Sequence, residues 1–394
     1  MIIKMRKIFN MDLSIKKLKY IVATILGAVI IFFFLILNIF FNIRFGMLYT
    51  GRVGHLTSNM DSYLSSRKDN EIAIFGIQKR IANYVIFNSW KNSKRIYFSK
   101  IGLLGDFFLK NFFPDHKMLI NWDELQPNYS SSMIKRRNIK IEKIKKINVV
   151  GNFNQKKPFI CFHNRDDSYL KSIGGGGDLN DHDYRDYKFN NYTNAINFVT
   201  KKKIQAVRIG RVTNEKFKIK NKKYYDYSNK NSNDINDIFL IKNCEFLVSS
   251  ATGLSNIASI LRKKTLFVNH IPFTLREMYI YTPRSIFIPK KLFLIKEKRF
   301  LKFHEIESLK YDIHEKKFFE KRGLRVVNNT QNEINMATQE MLQNYKKKEV
   351  NIYNTELHNR FWSSLEDQRA VKIIRHKLKF NICNSFLLKN KRMI

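Results

Sequence analysis

The stretch NDIFLIKNCEFLVSSATGLSNIASILRKKTLFVN, residues 236–269, decides the fold class. It reads as a helix, a short apolar strand, a hydroxyl-rich turn, a second helix and a second strand, joined by only a few residues each. Strands alternating with helices in this way pair in parallel, because each crossover helix returns the chain to the same end of the sheet. Upstream, PFICFH (158–163) and IQAVRIG (204–210) read as further strands, with a helix over residues 191–202 between them. These runs are continuously apolar, as expected of strands covered on both faces. The result is an α/β fold with a doubly wound parallel sheet. Ligands of such sheets sit beyond the carboxyl ends of the strands. Here those ends carry His163, Arg208 with Gly210, and Ser249 with Ser250, and they are expected to converge.

The 394 residues include 72 Lys and Arg against 33 Asp and Glu, a formal charge of +39, and 44% are hydrophobic. That composition excludes a small disulfide-stapled module and a wholly disordered chain, and the length suits two domains. Such charge invites a nucleic-acid partner, since a basic face releases counterions from phosphates. However, the 50 Lys and 22 Arg accompany abundant Asn, Ile, Phe and Tyr, the set that AT-rich codons favour. The charge is therefore read as spread over the surface, and no nucleic-acid partner is expected. Cys161, Cys244 and Cys383 have no CxxC spacing, and the first two lie in apolar runs as small hydrophobes.

Residues 21–43, IVATILGAVIIFFFLILNIFFNI, carry no charge. At about 1.5 Å per residue the run spans a hydrocarbon core of roughly 30 Å, and a transmembrane helix is expected over residues 20–43 after a basic segment, 1–19. Lys4, Arg6, Lys7, Lys16, Lys17 and Lys19 precede it; Arg44, Arg52, Arg67 and Lys68 follow. This balance leans toward a cytoplasmic N-terminus. An interfacial helix would instead leave both flanks cytoplasmic. Beyond it, RFGMLYTGRVGHLTSNMDSYL (44–64) reads as a glycine-bearing loop leading into a helix, and residues 72–77 and 95–98 read as strands. GGGGD (174–178) reads as a flexible loop, and Thr330 with Glu333 has capping-box spacing ahead of a helix at 332–346. Residues 346–394 read as a basic C-terminal extension with helical stretches.

Two clusters carry the chemistry. HNRDD (163–167), after a buried strand, sets Arg165 beside Asp166 and Asp167; a planar guanidinium donates two parallel hydrogen bonds to phosphate oxygens. A surface salt bridge between Arg165 and Asp166 is the plainer reading. The turn before GLSNIASI offers Ser250, Thr252, Gly253 and Ser255 at a helix N-terminus, where N–H groups and dipole favour an anion. An ordinary N-cap would use the same residue types. Between the clusters lie Arg185, Arg208 and Arg211 with Asp226 and Asp237, for each of which a solvated or structural role is the simpler expectation. GxxxxGK, GxGxxG, HExxH and GxSxG are all missing, so P-loop, dinucleotide, zincin and serine-hydrolase chemistry lack their signatures. DHD (181–183) has metal-pair spacing but lies in the glycine-rich loop.

The order HNRDDSYL, HDYRDYKFNNY, VRIGRV, YYDYSN, SSATGLSNIASI and TLFVNHIPF resembles a family of bacterial glycosyltransferases related in fold to the GT-B and O-fucosyltransferase-like enzymes. RFGMLYTGRVGHL and the NNTQNEI helix belong to the same resemblance, which covers most of residues 44–345. It implies two Rossmann-like domains after the membrane helix: an acceptor-side domain at 44–150 and a nucleotide-sugar-binding domain at 151–345. In the fucosyltransferase-like group an HxR motif places the Arg on the donor diphosphate, which carries over to His163 and Arg165. SSATGLSN is similar to the phosphate-binding turn of bacterial heptosyltransferases, with Ala251 in the acidic place and Asn256 in the His place.

The implied reaction moves a sugar from a nucleotide-sugar donor to a glycan or lipid-linked acceptor at the inner membrane. No metal or cofactor is expected. Arg165, Ser249, Ser250, Thr252, Gly253 and Ser255 would hold the leaving group, supported by Arg185, Arg208, Gly210 and Asp226; His163, Asp166 or Asp167 would be the base. The competing reading is a non-catalytic, membrane-tethered basic protein that holds an anionic polymer or nucleic acid.

Overall fold

A computed structural model describes residues 2–122, 147, 150–172, 183–213, 215–271, 273, 275, 284–309, 317–346 and 355–394. The GGGGD loop and the first two residues of DHD lie outside the described residues. The chain divides into two compact units, one at the N-terminal side of about residue 128 and one beyond it. Both are α/β with parallel sheets.

Unit 1 opens with α1 (Ile2–Leu37), followed by β1 (Asn42–Leu48), α2 (Val53–Ser66), β2 (Glu71–Ile77), α3 (Tyr84–Lys91), β3 (Ile96–Phe98) and α4 (Lys100–Phe112). The strands form a parallel sheet in the order β1-β2-β3. On one face Tyr63 of α2 packs edge-to-face on Phe75 and donates to Glu71. On the other, Ile43, Phe45, Ile72 and Ile74 meet residues of α1 and α4.

Two expectations change here. The apolar helix ends at Leu37, six residues early, and Asn38 accepts from the Ile43 N–H as the chain turns away. The stretch 44–64, expected as a loop leading into a helix, does run into α2 but begins as β1: Ile43, Phe45 and Leu48 are buried along one parallel strand, and Gly46 masks that pattern.

Unit 2 is a doubly wound sheet of seven parallel strands in the order β13-β9-β8-β7-β4-β5-β6. Its elements are β4 (Phe159–His163), α5 (Ser168–Ser172), α6 (Thr193–Lys201), β5 (Gln205–Arg208), β6 (Tyr224–Asp226), α7 (Asp234–Asn243), β7 (Leu247–Ser249), α8 (Gly253–Ile260), β8 (Thr265–His270) and β9 (Ile286–Pro289). A small antiparallel sheet follows, β11-β10-β12, from β10 (Lys291–Leu294), β11 (Arg299–Phe300) and β12 (Leu324–Val327) with α9 (Phe303–Ser308) and α10 (Phe318–Lys321) between. Then come α11 (Gln331–Asn344), α12 (Glu356–Ser363), α13 (Gln368–Lys372), β13 (Asn381–Ile382) and α14 (Asn384–Lys389). β4, β5, β7, β8 and β9 are buried almost throughout, which is why their sequences are apolar without alternation. The Thr330–Glu333 capping box forms as expected.

The C-terminal stretch is not an appendage. β13 pairs in parallel with β9 and forms one edge of the sheet. Trp362 Nε1 donates to Asn381 at 2.7 Å, Phe380 stacks on Phe287, and both Glu340 oxygens accept N–H groups at the start of α14. The many lysines of this stretch hid a sparse set of core residues, Phe361, Trp362, Phe380, Ile382 and Phe386.

Candidate functional site

From β4 the strand order runs outward through β5 to β6 on one side and through β7, β8 and β9 on the other. The connections therefore leave in opposite directions between β4 and β7, and the carboxyl ends at that point are where such a sheet takes its ligand. His163 ends β4, with Ser249 of β7 beside it in register.

His163 Nδ1 lies 3.0 Å from the Ile209 carbonyl oxygen. A carbonyl can only accept, so Nδ1 carries the proton and Nε2 keeps its lone pair. Burial pushes the imidazole pKa down to about 4; the Ile209 bond opposes this, and Arg208 and Arg165 reinforce it. The ring is therefore neutral near pH 7. Gly210 follows with φ +151, and a Cβ there would sit 3.4 Å from His163 Nδ1. That contact is ordinary, so what glycine supplies is the positive φ, with Thr213 Cγ2 the closest neighbour at 3.2 Å.

Residues 183–189 form a strap between three strand ends. Arg165, after β4, donates to Asp186. Arg185 donates through Nη2 to the Ala251 carbonyl, 2.6 Å away in the turn between β7 and α8. Lys290, the residue after β9, donates to the carbonyls of Tyr184 and Asp186 at 2.7 and 3.0 Å. Asn164 holds the Tyr187 carbonyl at 2.9 Å, and the hydroxyls of Tyr187 and Tyr192 donate back to the His163 carbonyl. Arg165 and Lys290 thus meet at Asp186, with Arg185 near Lys290, while Asp167, just before α5, pairs with Lys171.

The electrostatics follow from enclosure. Burial lowers the Lys290 pKa to about 7, with Asp186 opposing and Arg165 and Arg185 reinforcing. Burial raises Asp186 to about 6 against the pull of Arg165. Arg185 is the uncompensated member. Its Nε is buried without a partner, and among the described residues no carboxylate lies in salt-bridge contact with it. A guanidinium held this way is poised for an anion.

The other predicted residues are used differently. Arg208 is 1% exposed; it donates to the Glu215 carbonyl, lies over the Phe189 ring and faces Asp226 at 3.6 Å. Asp226 accepts from the N–H and hydroxyl of Ser228. This pair fastens the β5–β6 edge. Asp166 accepts from Ser168 N–H at the start of α5. Thr252 and Ser255 form a reciprocal capping box, and the Ser249 hydroxyl donates to the Ser250 carbonyl. Ser250 is buried against the Tyr187 hydroxyl. The cap leaves the first-turn N–H groups of Gly253 and Leu254 outside it. Arg211 is matched by Asp234 and Asp237 at 2.5 and 3.3 Å, beside an open cleft of about 560 Å³. Among the described residues no group of three or more His, Cys, Asp or Glu is arranged to hold a metal ion.

With this geometry in view, comparison with known proteins gives likenesses in structure only. No family model matches the sequence, and no curated protein does. The chain is similar to E. coli ADP-heptose lps heptosyltransferase II over 57% of this chain and 84% of that one, at 10% identity and TM-score 0.34. It is similar to a glycosyl transferase family 9 protein from Veillonella parvula over 63% and 86%, at 7% identity and TM-score 0.39. It is also similar to the iron-containing dodecameric glycosyltransferase TibC from enterotoxigenic E. coli, at 10% identity and TM-score 0.34. That overlay spans 58% of each chain, less than two thirds of TibC.

From the sequence the strand ends His163, Arg208 with Gly210, and Ser249 with Ser250 are expected to converge, with Arg165 after the first; Arg185 is legible only as one further cation, and Asp186 and Lys290 are not singled out. Lys290 had a readable signal. It follows SIFIP (285–289), an apolar run with a charged end, the same pattern that singled out His163. Asp186 had none, because its place depends on how the strap is laid.

Proposed function

We propose that unit 2 binds the diphosphate of a nucleotide-sugar donor and transfers the sugar to a hydroxyl of a glycan or lipid-linked acceptor. One observation carries this reading: Arg185 is a half-buried guanidinium without a carboxylate partner, near Arg165, Lys290 and the start of α8. Charge of that kind at a switch point suits a ligand with two adjacent phosphates.

In the reaction, the acceptor oxygen attacks the anomeric carbon and the bond from that carbon to the diphosphate oxygen breaks. Arg165, Arg185 and the first-turn N–H groups of α8 take up the charge that develops on the leaving diphosphate, so no metal need do so. His163 is the strongest candidate for the base, because Nε2 is neutral with a free lone pair, whereas Asp166 and Asp167 are engaged at α5. Lys290 positions the strap. Nucleotide sugars are made in the cytoplasm, so the catalytic unit is placed at the cytoplasmic face of the inner membrane.

A thermal-shift panel of GDP-, UDP-, CMP- and ADP-sugars tests the donor. One should raise the melting temperature, since a ligand that binds only the native state stabilises it. Affinity for polyanions that collapses with salt, with no response to any sugar nucleotide, would instead favour the non-catalytic binding protein.

A further inference from the structure

The apolar helix of unit 1 meets different surroundings on its two sides. Its apolar part runs from Ile15 to Leu37. On the inner side, Ile31 and Phe34 pack with Ile43, Phe45 and Leu109, and the rings of Phe34 and Phe45 meet edge-to-face at 5.1 Å. Gly27 lies so close to α4 that a Cβ there would come within 2.7 Å of Phe108 Cβ and 2.9 Å of the Leu104 carbonyl oxygen. Tyr20 packs on Phe107 at 5.4 Å. The helix is therefore clasped by its own unit from Tyr20 to Leu37, roughly 27 Å at the helical rise.

On the outer side, Leu18, Val22, Ile25, Val29, Phe32 and Ile36 recur at intervals of four and three residues and are all exposed. That spacing puts them on one face of the helix. Ile39, Phe40 and Phe41 continue the exposed apolar surface past its end, at 75, 78 and 52% exposure. A contiguous patch of this length is not left to water in a soluble protein.

These two sides conflict with a simple crossing. To span a hydrocarbon core of about 30 Å, α1 would have to carry α4, with Lys100, Asp106 and Lys110, and the edge of the β1–β3 sheet into the lipid. We propose that α1 lies in the plane of the membrane interface, sunk into the acyl region by its outer stripe and by residues 39–41, with its N-terminus and unit 1 on the same side. Charge agrees with this placement. Lys16, Lys17 and Lys19 are exposed at one end of the stripe and Lys100 and Lys110 on α4, as anionic headgroups favour. It also explains why both flanks of the helix are basic, six residues before and four after.

The test is sidedness in the full-length chain. Single cysteines at Lys17 and at Lys68 are reacted with a membrane-impermeant maleimide in inside-out and right-side-out vesicles; Cys161, Cys244 and Cys383 are buried, and the parent chain is the control. Both positions should label from the same side, and labelling from opposite sides overturns the proposal. A second arm uses Ile25→Glu with Val29→Glu, both exposed, so folding checked by circular dichroism should persist. Binding to vesicles of phosphatidylglycerol and phosphatidylethanolamine should fall at least tenfold, with no change of oligomeric state in detergent. If these substitutions instead turn a dimer into a monomer and leave lipid binding intact, a second copy covers the stripe and the proposal fails. Neither arm depends on sugar transfer.

Discussion

Arg185 and Arg208 belong to the same unit, one on the strap at 183–189 and the other at the end of β5, yet they meet opposite fates. Arg208 leaves Nε and Nη2 buried without hydrogen bonds, but its charge is matched: it has a carbonyl, an aromatic face and Asp226. Arg185 is held by one carbonyl and keeps its charge uncompensated. The first is a fastening for the sheet edge, and the second is free to pair with something the chain does not supply. Counting arginines near a strand end therefore says little; the carboxylates beside each one decide whether it is available.

The comparison can be broken most directly at Arg185 and Arg165. Replacing either by Ala should lower nucleotide-sugar turnover by about 10²–10³-fold, the usual loss for one donor to a developing anion. The melting temperature should stay nearly unchanged in Arg185→Ala and fall in Arg165→Ala, which leaves Asp186 without its ion-pair partner. Unchanged turnover in single-turnover assays would remove the leaving-group assignment. Arg208→Met should do the reverse. It strips a buried cation from Asp226 and should cost roughly 2 kcal/mol in urea denaturation, while turnover per folded molecule changes little.

Two titrations sharpen the contrast. If His163 is the base, kcat/KM should be flat near neutrality and fall as pH drops through about 4, where Nε2 becomes protonated. A limb that persists in His163→Gln would assign the base elsewhere. Lys290 has a folded pKa of about 7 against 10.5 for the unfolded chain. Between those values the unfolded state binds more protons, so Lys290 should make stability rise with pH. Lys290→Met should flatten that rise, as read from denaturation midpoints at both ends of the window. The smallest effect is expected at Arg211→Gln, where a partly exposed cation already matched by Asp234 and Asp237 should leave turnover within about twofold.

Much of the fold was legible because burial leaves a plain mark. Strands covered on both faces must be continuously apolar, and β4, β5, β7 and β8 were found that way. β1 was missed because Gly46 interrupts it and an apolar helix runs almost up to it. The C-terminal strand was missed because two ladder residues, Asn381 and Ile382, carry no pattern amid lysines. At the site, residues adjacent to a strand end were legible, since chain direction alone fixes which end they occupy. Those brought by the strap were only partly so: Arg185 entered as one cation among several, and Asp186 was not singled out.

The sequence by itself determined the parallel α/β architecture, the apolar N-terminal helix and the placing of His163, Arg165 and Ser249 near one end of the sheet, because periodicity and chain order are local properties. Only the tertiary structure decided which cations are neutralised, that His163 keeps Nε2 unprotonated, and that α1 is clasped by its own domain. Those depend on partners 46 to 106 residues away in the chain, such as Ile209 for His163, Ala251 for Arg185 and Tyr184 for Lys290. No local pattern encodes such pairings; they follow from packing.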